Sequence, residues 1–217
     1  MKIKKVFFYI LTFSPIIISL FALPFLPNKI PSHYGFEGDV ARWGSKYESL
    51  ILPLLTLLFS FIMGSLMNNS KQNNYSRRNI ETLLITSNSC LVLFDFLCFF
   101  FLYLNLRQID DIGKGSVDFN KFIFLSIGVV MIISGLIMPK TKMNSYIGLR
   151  TPWSTKNEKV WLRSQKFGGF IAIVSGILII VASFLNSTTN TYIWIIIIFV
   201  ISLIIDVYFT YKISKIE

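Results

Sequence analysis

Charged residues are scarce in this sequence: Asp, Glu, Lys and Arg make up 15% of its 217 residues. A soluble domain usually carries about a quarter. Hydrophobic residues account for 53% of the chain, including 21 Phe, and the mean hydropathy is +0.63. A water-soluble core of this size cannot bury so much apolar surface, so lipid is the expected solvent.

Residues that carry common catalytic chemistry are also few. A single His excludes a zinc-protease helix, which needs two His ligands. The chain has neither a GxxxxGK[ST] phosphate loop nor a G-x-S-x-G nucleophile elbow. Cys90 and Cys98 lie too far apart on one predicted helix to bond to each other, and we interpret them as small buried residues. The sequence therefore predicts no catalytic residue, no cofactor and no metal.

Six long apolar runs predict where the chain crosses the bilayer, since a helix needs about 20 residues to span the hydrocarbon. They are residues 6–26, 50–67, 83–104, 122–138, 167–185 and 192–211. Helices satisfy every backbone group internally, and the alternation typical of a barrel is absent. The predicted fold class is all-α, a polytopic membrane protein with six transmembrane helices. We expect the first run to be a retained helix, kinked at Pro15, rather than a cleaved signal peptide.

Basic residues are distributed unevenly between the loops: 15 of the 21 lie on one side of the predicted spans. These are Lys2, Lys4, Lys5, Lys71, Arg77, Arg78, Lys140, Lys142, Arg150, Lys156, Lys159, Arg163, Lys166, Lys212 and Lys215. The positive-inside rule places that side, with both termini, in the cytoplasm. The basic excess is thus explained by topology and anionic membrane lipid, and direct nucleic-acid binding is not expected.

The outer loop between the first two spans begins Leu-Pro-Asn-Lys-Ile-Pro-Ser-His at residues 26–33. Pro27 and Pro31 favour an extended start, and later glycines, including Gly44, permit tight turns. His33, Glu37 and Asp39 are candidate metal ligands, but one His with two loop acids is a weak signal. A structural hydrogen bond of His33 is the preferred interpretation.

The longest inner segment reads Asn-Ser-Tyr-Ile-Gly-Leu-Arg-Thr-Pro-Trp-Ser at residues 144–154. Residues 155–158 fit a capping box, which predicts a juxtamembrane amphipathic helix that enters the fifth span at residues 168–169. Its basic face carries Lys159, Arg163 and Lys166. Elementary physics favours a membrane-anchoring elbow with interfacial Trp, and the alternative is a docking surface for a cytosolic partner.

Two acids lie within the predicted spans. Asp95 is deep in the third span, where a carboxylate is costly unless it is paired or protonated. It is a candidate proton or ion site, or a polar clasp to another helix. Asp206 is near the inner end of the sixth span, within reach of water or lipid head groups.

Two stretches resemble the SdpI-like membrane proteins, whose namesake gives immunity against a sporulation-delaying peptide toxin. The inner stretch matches at Asn144, Gly148, Leu149, Arg150, Thr151, Pro152, Trp153, Ser154, Val160 and Trp161. The outer stretch resembles the small L-P-x-x-I-P-x-H domain that often precedes it. It matches at Leu26, Pro27, Ile30, Pro31, His33, Gly38, Trp43, Gly44, Ser45 and Lys46.

The chain departs from the family pattern at two points. Ser164 and Gln165 stand where many members have Thr-His, and Ala41 and Arg42 replace the usual Asp-Gly. Family roles that rest on that second His or on that Asp are therefore not carried over.

The resemblance implies a multi-pass immunity protein of the bacterial plasma membrane, not an enzyme. The outer loops would face a peptide toxin, and the inner segment would recruit a cytosolic transcriptional repressor. It also implies three sequence segments: 1–67 with the outer domain, 80–138 with spans three and four, and 139–217 with the SdpI-like motif. The alternative is a small proton- or ion-coupled transporter built around Asp95. A membrane enzyme is the weakest hypothesis, because the inner loop lacks a clear base.

Overall fold

A computed structural model describes residues 2–35, 39–72, 77–109, 119–144, 148–185 and 188–217. The helices are α1 Lys2–Ala22, α2 Ile51–Gln72, α3 Arg77–Arg107, α4 Phe119–Ile137, α5 Glu158–Leu185 and α6 Thr188–Ile216. The strands are β1 Lys29–Tyr34 and β2 Val40–Ser45, between α1 and α2. Short 3-10 helices cover Leu23–Phe25, Lys46–Leu50 and Met138–Lys140.

The six predicted spans coincide with six helices that are long and apolar enough to cross a membrane, so the predicted fold class is confirmed for the described residues. Several helices extend beyond the apolar runs. Helix α3 has 31 residues, or about 46 Å at 1.5 Å per residue, whereas the hydrocarbon core is about 30 Å thick. Pro15 is buried inside α1, and its predicted kink stays a prediction.

The outer segment is an antiparallel hairpin, where the sequence indicated only an extended, shaped loop. Ile30 pairs with Gly44 and Pro31 with Trp43, and the register becomes irregular at His33. A two-stranded hairpin is marginal by itself in water. It is fixed here by burial, because Ile30 is only 1% exposed and Leu26, just before the strand, is 4% exposed.

The chain divides into two compact units. The outer-motif unit comprises Met1–Ser65 and Ser87–Phe122, and the inner-motif unit comprises Leu66–Thr86 and Ile123–Glu217. Helices α2 and α3 each contribute to both. The predicted segments 1–67, 80–138 and 139–217 divide the chain by sequence motifs rather than by spatial compactness, and they stay a prediction.

Polar contacts accompany the apolar core of the outer-motif unit. The Thr12 hydroxyl of α1 donates to Ser60 Oγ of α2 at 3.0 Å. Thr56 Oγ1 and Cys98 Sγ, on α2 and α3, are 3.8 Å apart. Thr12 and Thr56 also bond backbone carbonyls of their own helices, those of Phe8 and Leu52. In lipid, such polar contacts between helices help to join them.

In the inner-motif unit, α4 and α5 approach each other closely through glycines. A Cβ on Gly128 would lie 2.7 Å from the carbonyl oxygen of Gly176, and one on Gly135 would lie 2.5 Å from that of Gly169. Small residues allow such backbone contact between membrane helices. Helices α5 and α6 pack against each other, with Phe167 stacked on Phe209 at 3.6 Å between centroids.

The predicted juxtamembrane helix and the fifth span form one continuous helix, α5, which begins at Glu158. Its cap is Asn157, whose Oδ1 accepts a hydrogen bond from the Val160 N–H at 2.9 Å. The predicted cap, Thr155, instead donates its hydroxyl to the carbonyl of Thr151 at 3.3 Å. Because the Thr155 side chain is engaged in the turn before the helix, the observed cap lies two residues after the predicted one.

Candidate functional site

Residues 149–154 of the inner motif form a compact turn in front of α5. The Thr151 N–H donates to Ser154 Oγ at 2.8 Å, and the Ser154 N–H donates to Thr151 Oγ1 at 3.0 Å. The Ser154 hydroxyl lies 3.0 Å from the carbonyl of Leu149. Such local side-chain bonds fix a turn without help from a regular element. Ser154 is fully buried, whereas Arg150 and Pro152 are exposed on the turn.

Gln165 on α5 holds the start of this turn. Its Nε2 donates to the carbonyl of Leu149 at 2.9 Å, and its Oε1 accepts from the Leu149 N–H at 2.9 Å. Gly148, just before, has a φ of +103°, and a Cβ there would collide with Gln165 Oε1. Only glycine adopts this conformation readily, so the motif glycine is required by the backbone and by the close side chain.

A second carboxamide holds the residues that lead into the motif. Asn79 of α3 donates from Nδ2 to the carbonyl of Lys142 at 3.1 Å and accepts from the Lys142 N–H at 2.8 Å. Asn144, buried, also donates to the Lys142 carbonyl, at 2.8 Å. Trp161 is 1% exposed, and its indole N–H donates to the carbonyl of Thr141 at 3.1 Å. Trp161 is therefore a core residue that reaches neither a lipid interface nor a docking surface.

The C-terminal end of α6 completes the scaffold. The Thr151 hydroxyl donates to Thr210 Oγ1 at 3.0 Å, and Trp153 contacts Tyr211 edge-on at 5.4 Å between centroids. Further along α5, Arg163 forms an ion pair with Glu217 at 2.8 Å. The motif turn is thus pinned to the ends of two helices, which the linear sequence does not indicate.

The outer motif presents fewer buried side chains. Ile30 and Pro31 are buried and Pro27 is half-buried, whereas His33 is exposed. A Cβ on Gly44 would collide with Glu48 Oε1 and with Ser32 Oγ, so glycine permits tight packing there.

An exposed ion pair closes the hairpin. Arg42 Nη2 lies 2.6 Å from Glu48 Oε2. The hydrogen bond from Arg42 lowers the pKa of the Glu48 carboxyl, as does the bond from the Ser45 N–H. Glu48 also caps the 3-10 helix that precedes α2, where its Oε1 accepts from the Ser45 N–H at 3.2 Å.

The metal hypothesis gains no geometric support. Glu37 and Gly38 lie outside the described residues, and His33 and Asp39 are exposed. Within the part of the chain that the structure describes, no three His, Cys, Asp or Glu side chains are grouped to hold an ion.

Beneath the hairpin lies a cavity of about 160 Å³, enclosed by residues of the outer-motif unit. Ile30, Phe101 and Leu102 give it apolar walls, and Arg42 borders it. Asn105, which is 4% exposed, also lines it, and its Oδ1 has no hydrogen-bond partner among the described residues. The cavity therefore offers apolar surface and one unused acceptor.

Asp95 is 5% exposed, and Ser14 of α1 donates to its Oδ2 at 3.3 Å. Its Oδ1 has no partner within the described ranges. The sequence allows two alternatives for Asp95, a proton or ion site and a polar clasp to another helix. The contact with α1 is a polar contact between helices, and the role of Asp95 stays a prediction. Asp206 is half-buried on α6, and its Oδ1 likewise has no partner among the residues described.

Arg150, Thr151, Pro152 and Trp153 are brought together in one turn, while Asn144 and Trp161 belong to its buried support. Sequence reasoning missed Asn79 and Thr210, because neither is near the motif in the chain. It noticed Gln165 only as a departure from the family pattern.

Comparisons with known proteins bear on both motifs. Residues 140–210 match the SdpI/YfhL protein family, and residues 10–57 match a domain of unknown function, DUF1648. The chain is 28% identical over 181 residues to a Bacillus subtilis (strain 168) protein named Immunity protein SdpI, covering 83% of this chain and 82% of that protein. No solved structure matches the chain. The resemblance predicted from the two stretches is confirmed.

Proposed function

We propose that this chain, which carries an SdpI/YfhL family segment at residues 140–210, is an immunity protein of the bacterial plasma membrane. It would protect its cell against a membrane-active peptide toxin. The observation that carries the proposal is the similarity to Immunity protein SdpI, which extends over 83% of the chain. The two matched family segments, residues 140–210 and 10–57, contain the inner and the outer motif respectively.

The outer hairpin is the proposed contact surface for the peptide. Trp43, on the second strand, and Tyr47, in the 3-10 helix that follows it, are 53% and 63% exposed. Tyr and Trp are favoured at the boundary between membrane and water, where a membrane-active peptide also accumulates. Exposed aromatic side chains here support peptide binding at the membrane surface.

The inner turn is the proposed docking surface for a cytosolic transcriptional repressor. Arg150 and Pro152 are exposed, while buried contacts hold their backbone in one conformation. A rigid backbone lowers the entropy lost when a partner binds. The hydroxyls of Thr151 and Ser154 are engaged within the scaffold. We therefore infer a binding role for this segment rather than catalysis.

The proposed orientation places both termini in the cytoplasm, from the uneven distribution of Lys and Arg. It can be tested in a background with Cys90→Ser and Cys98→Ser. Cysteine at Asp39 should react with an impermeant thiol reagent on intact cells, and cysteine at Lys159 only after lysis. The opposite labelling pattern would overturn the orientation.

Expression in a sensitive bacterial strain, followed by challenge with a panel of membrane-active peptides, tests the immunity function. We expect survival to rise for at least one peptide. Trp43→Ala and Tyr47→Ala should reduce that protection at unchanged abundance. Tyr208→Ala, which removes an exposed aromatic from α6, is the matched control and should protect as wild type does. Survival equal to the empty vector against every peptide would contradict the proposal.

A proton- or ion-coupled transporter is the second candidate, because Asp95 Oδ1 is buried without a partner in the described residues. We expect Asp95→Asn to insert normally with weakened function, and Asp95→Leu to be weaker still, since Asn keeps a hydrogen bond. Function is measured as proton or ion uptake into vesicles and as protection of cells. If both variants match wild type in both measurements, Asp95 is a tolerated core residue.

A further inference from the structure

The inner-motif unit contains a second cavity, of about 380 Å³, beneath the motif turn. Gly148 and Leu149 of the motif border it, together with residues of α3, α4, α5 and α6. Its lining combines seven apolar side chains and two glycines with five Ser or Thr hydroxyls and one carboxyl. A cavity of this size and character suits a hydrocarbon chain with a polar head.

The lining of the cavity extends along the helices. It includes Met131 of α4 and Met138 of the 3-10 helix that follows α4, and both Asp206 and Phe199 of α6. Each pair is separated by seven residues, or about 10 Å at 1.5 Å per residue. Met138 and Asp206 lie toward the motif end of their helices, where Leu149 also borders the cavity. The Asp206 carboxyl therefore lies toward the motif end of the cavity, and Met131 and Phe199 lie toward the other end.

Among the described residues that line this cavity, Asp206 is the only acid. Its Oδ1 is buried and accepts no hydrogen bond from any residue the structure describes. A carboxylate among apolar side chains in a membrane is costly unless a donor or a cation faces it. Ser202, one turn earlier on α6, is already engaged, because its hydroxyl lies 2.6 Å from Ser175 Oγ.

We propose that this cavity binds a lipid-like amphiphile with a primary ammonium head. The ammonium contacts the Asp206 carboxylate, and the hydrocarbon chain extends past Ala172 toward Phe199. An ammonium is the smallest common lipid head that supplies both a positive charge to compensate the carboxylate and up to three hydrogen-bond donors. In the proposed orientation, the Asp206 end of the cavity faces the inner leaflet, so the head would lie there.

Occupancy would place the ligand against Leu149, the residue whose backbone Gln165 holds. The ammonium amphiphile would therefore stabilise the anchored conformation of the motif turn. This inference concerns binding and does not depend on the immunity function. Loss of peptide protection and loss of amphiphile binding can be measured separately.

The test uses the full chain reconstituted in phosphatidylcholine vesicles, with dodecylamine as the probe and dodecanol as the uncharged chain of equal length. The midpoint of thermal unfolding is measured as each probe is titrated. We expect dodecylamine to raise the midpoint saturably and dodecanol to have a much weaker effect. Vesicles of phosphatidylethanolamine, which carries the same ammonium group, show whether a phospholipid occupies the site: if so, dodecylamine adds no further shift.

Three variants make the result specific. Asp206→Asn should raise the half-saturating dodecylamine concentration at least tenfold. Ala172→Phe, which fills the cavity, should abolish the response while Asp206 remains. Asp95→Asn makes the same chemical change in the outer-motif unit and should respond as wild type does. An equal response to dodecylamine in wild type and Asp206→Asn, or equal responses to the amine and the alcohol, would overturn the proposal.

Discussion

The inner motif and the outer hairpin are held in place by different kinds of contact. In the inner motif, the carboxamides of Asn79 and Gln165 each bond both backbone groups of one residue, Lys142 and Leu149 respectively. In the outer hairpin, pairing between two strands satisfies the backbone groups, and the Arg42–Glu48 ion pair at the edge of the hairpin is exposed. One site depends on hydrogen bonds from buried side chains, and the other on backbone pairing together with the burial of Ile30.

This difference sets how each region responds to substitution. A buried backbone group that loses its partner costs about 1–3 kcal/mol, because no water replaces the bond. An exposed ion pair contributes little, because solvent and salt screen it. Single changes to the side-chain scaffold of the inner motif should therefore be far more damaging than changes to the ion pair of the hairpin.

Gln165→Leu should give the largest effect. It leaves the N–H and the carbonyl of Leu149 without their partners, and we expect a loss of about 3 kcal/mol in unfolding free energy. The measurement is denaturant unfolding in detergent micelles, followed by abundance in cells. Gln165→His is the matched control, since many members of the family have His there. An imidazole retains one of the two bonds, so the loss should be smaller. Equal losses in the two variants would show that side-chain volume, not hydrogen bonding, is what the site requires.

Gly148→Ala should come next, at about 2 kcal/mol, because its φ of +103° strains any L side chain and its Cβ collides with Gln165 Oε1. Gly64→Ala is the control, since a Cβ on Gly64 of α2 meets no atom within 4 Å. That variant should be neutral or slightly stabilising, because Ala favours a helix more than Gly does. If Gly148→Ala unfolds like Gly64→Ala, the left-handed turn is not required.

The contrast between local patterns and distant contacts also explains which parts of the structure could be predicted from the sequence. Each of the six apolar runs is a signal contained within one continuous stretch of the sequence, and all six helices were predicted. The Arg150–Trp153 turn was located because its residues are contiguous. Trp161 was placed on a surface because apolar spacing on a helix does not reveal which side a neighbouring loop covers.

The missing parts depend on contacts distant in sequence. Asn79 reaches Lys142 across 63 positions, and Thr151 reaches Thr210 across 59. No local pattern marks either pair. The hairpin was missed for another reason: its strands are short, one contains Pro31, and strong strand alternation is absent. Here a tertiary contact, the burial of Ile30, decides the structure.

Glu48→Gln should have a small effect that depends on pH. The folded-state pKa of Glu48 is lowered by Arg42, so the carboxylate adds stability above its unfolded pKa and loses it as pH falls through the folded pKa. The unfolding midpoints of wild type and variant should therefore differ slightly at neutral pH and converge in acid. Glu158→Gln, in the first turn of α5, controls for loss of a carboxylate elsewhere. A difference that grows as pH falls would contradict the assignment.

Arg150→Lys should have the smallest effect on folding and still abolish the proposed docking. Arg150 is exposed, and its position is fixed by the buried contacts of Leu149 and Thr151 on either side. Lysine keeps the charge but lacks the planar fork that binds carboxylates in two parallel bonds. We therefore expect Arg150→Lys at normal abundance but defective in function, with Arg150→Ala no worse. Lys159→Ala, which removes a nearby exposed charge, should retain function. A fully active Arg150→Lys, or a Lys159→Ala as defective as Arg150→Ala, would show that positive charge alone matters. The turn would then be an anchor to the inner leaflet rather than a docking site.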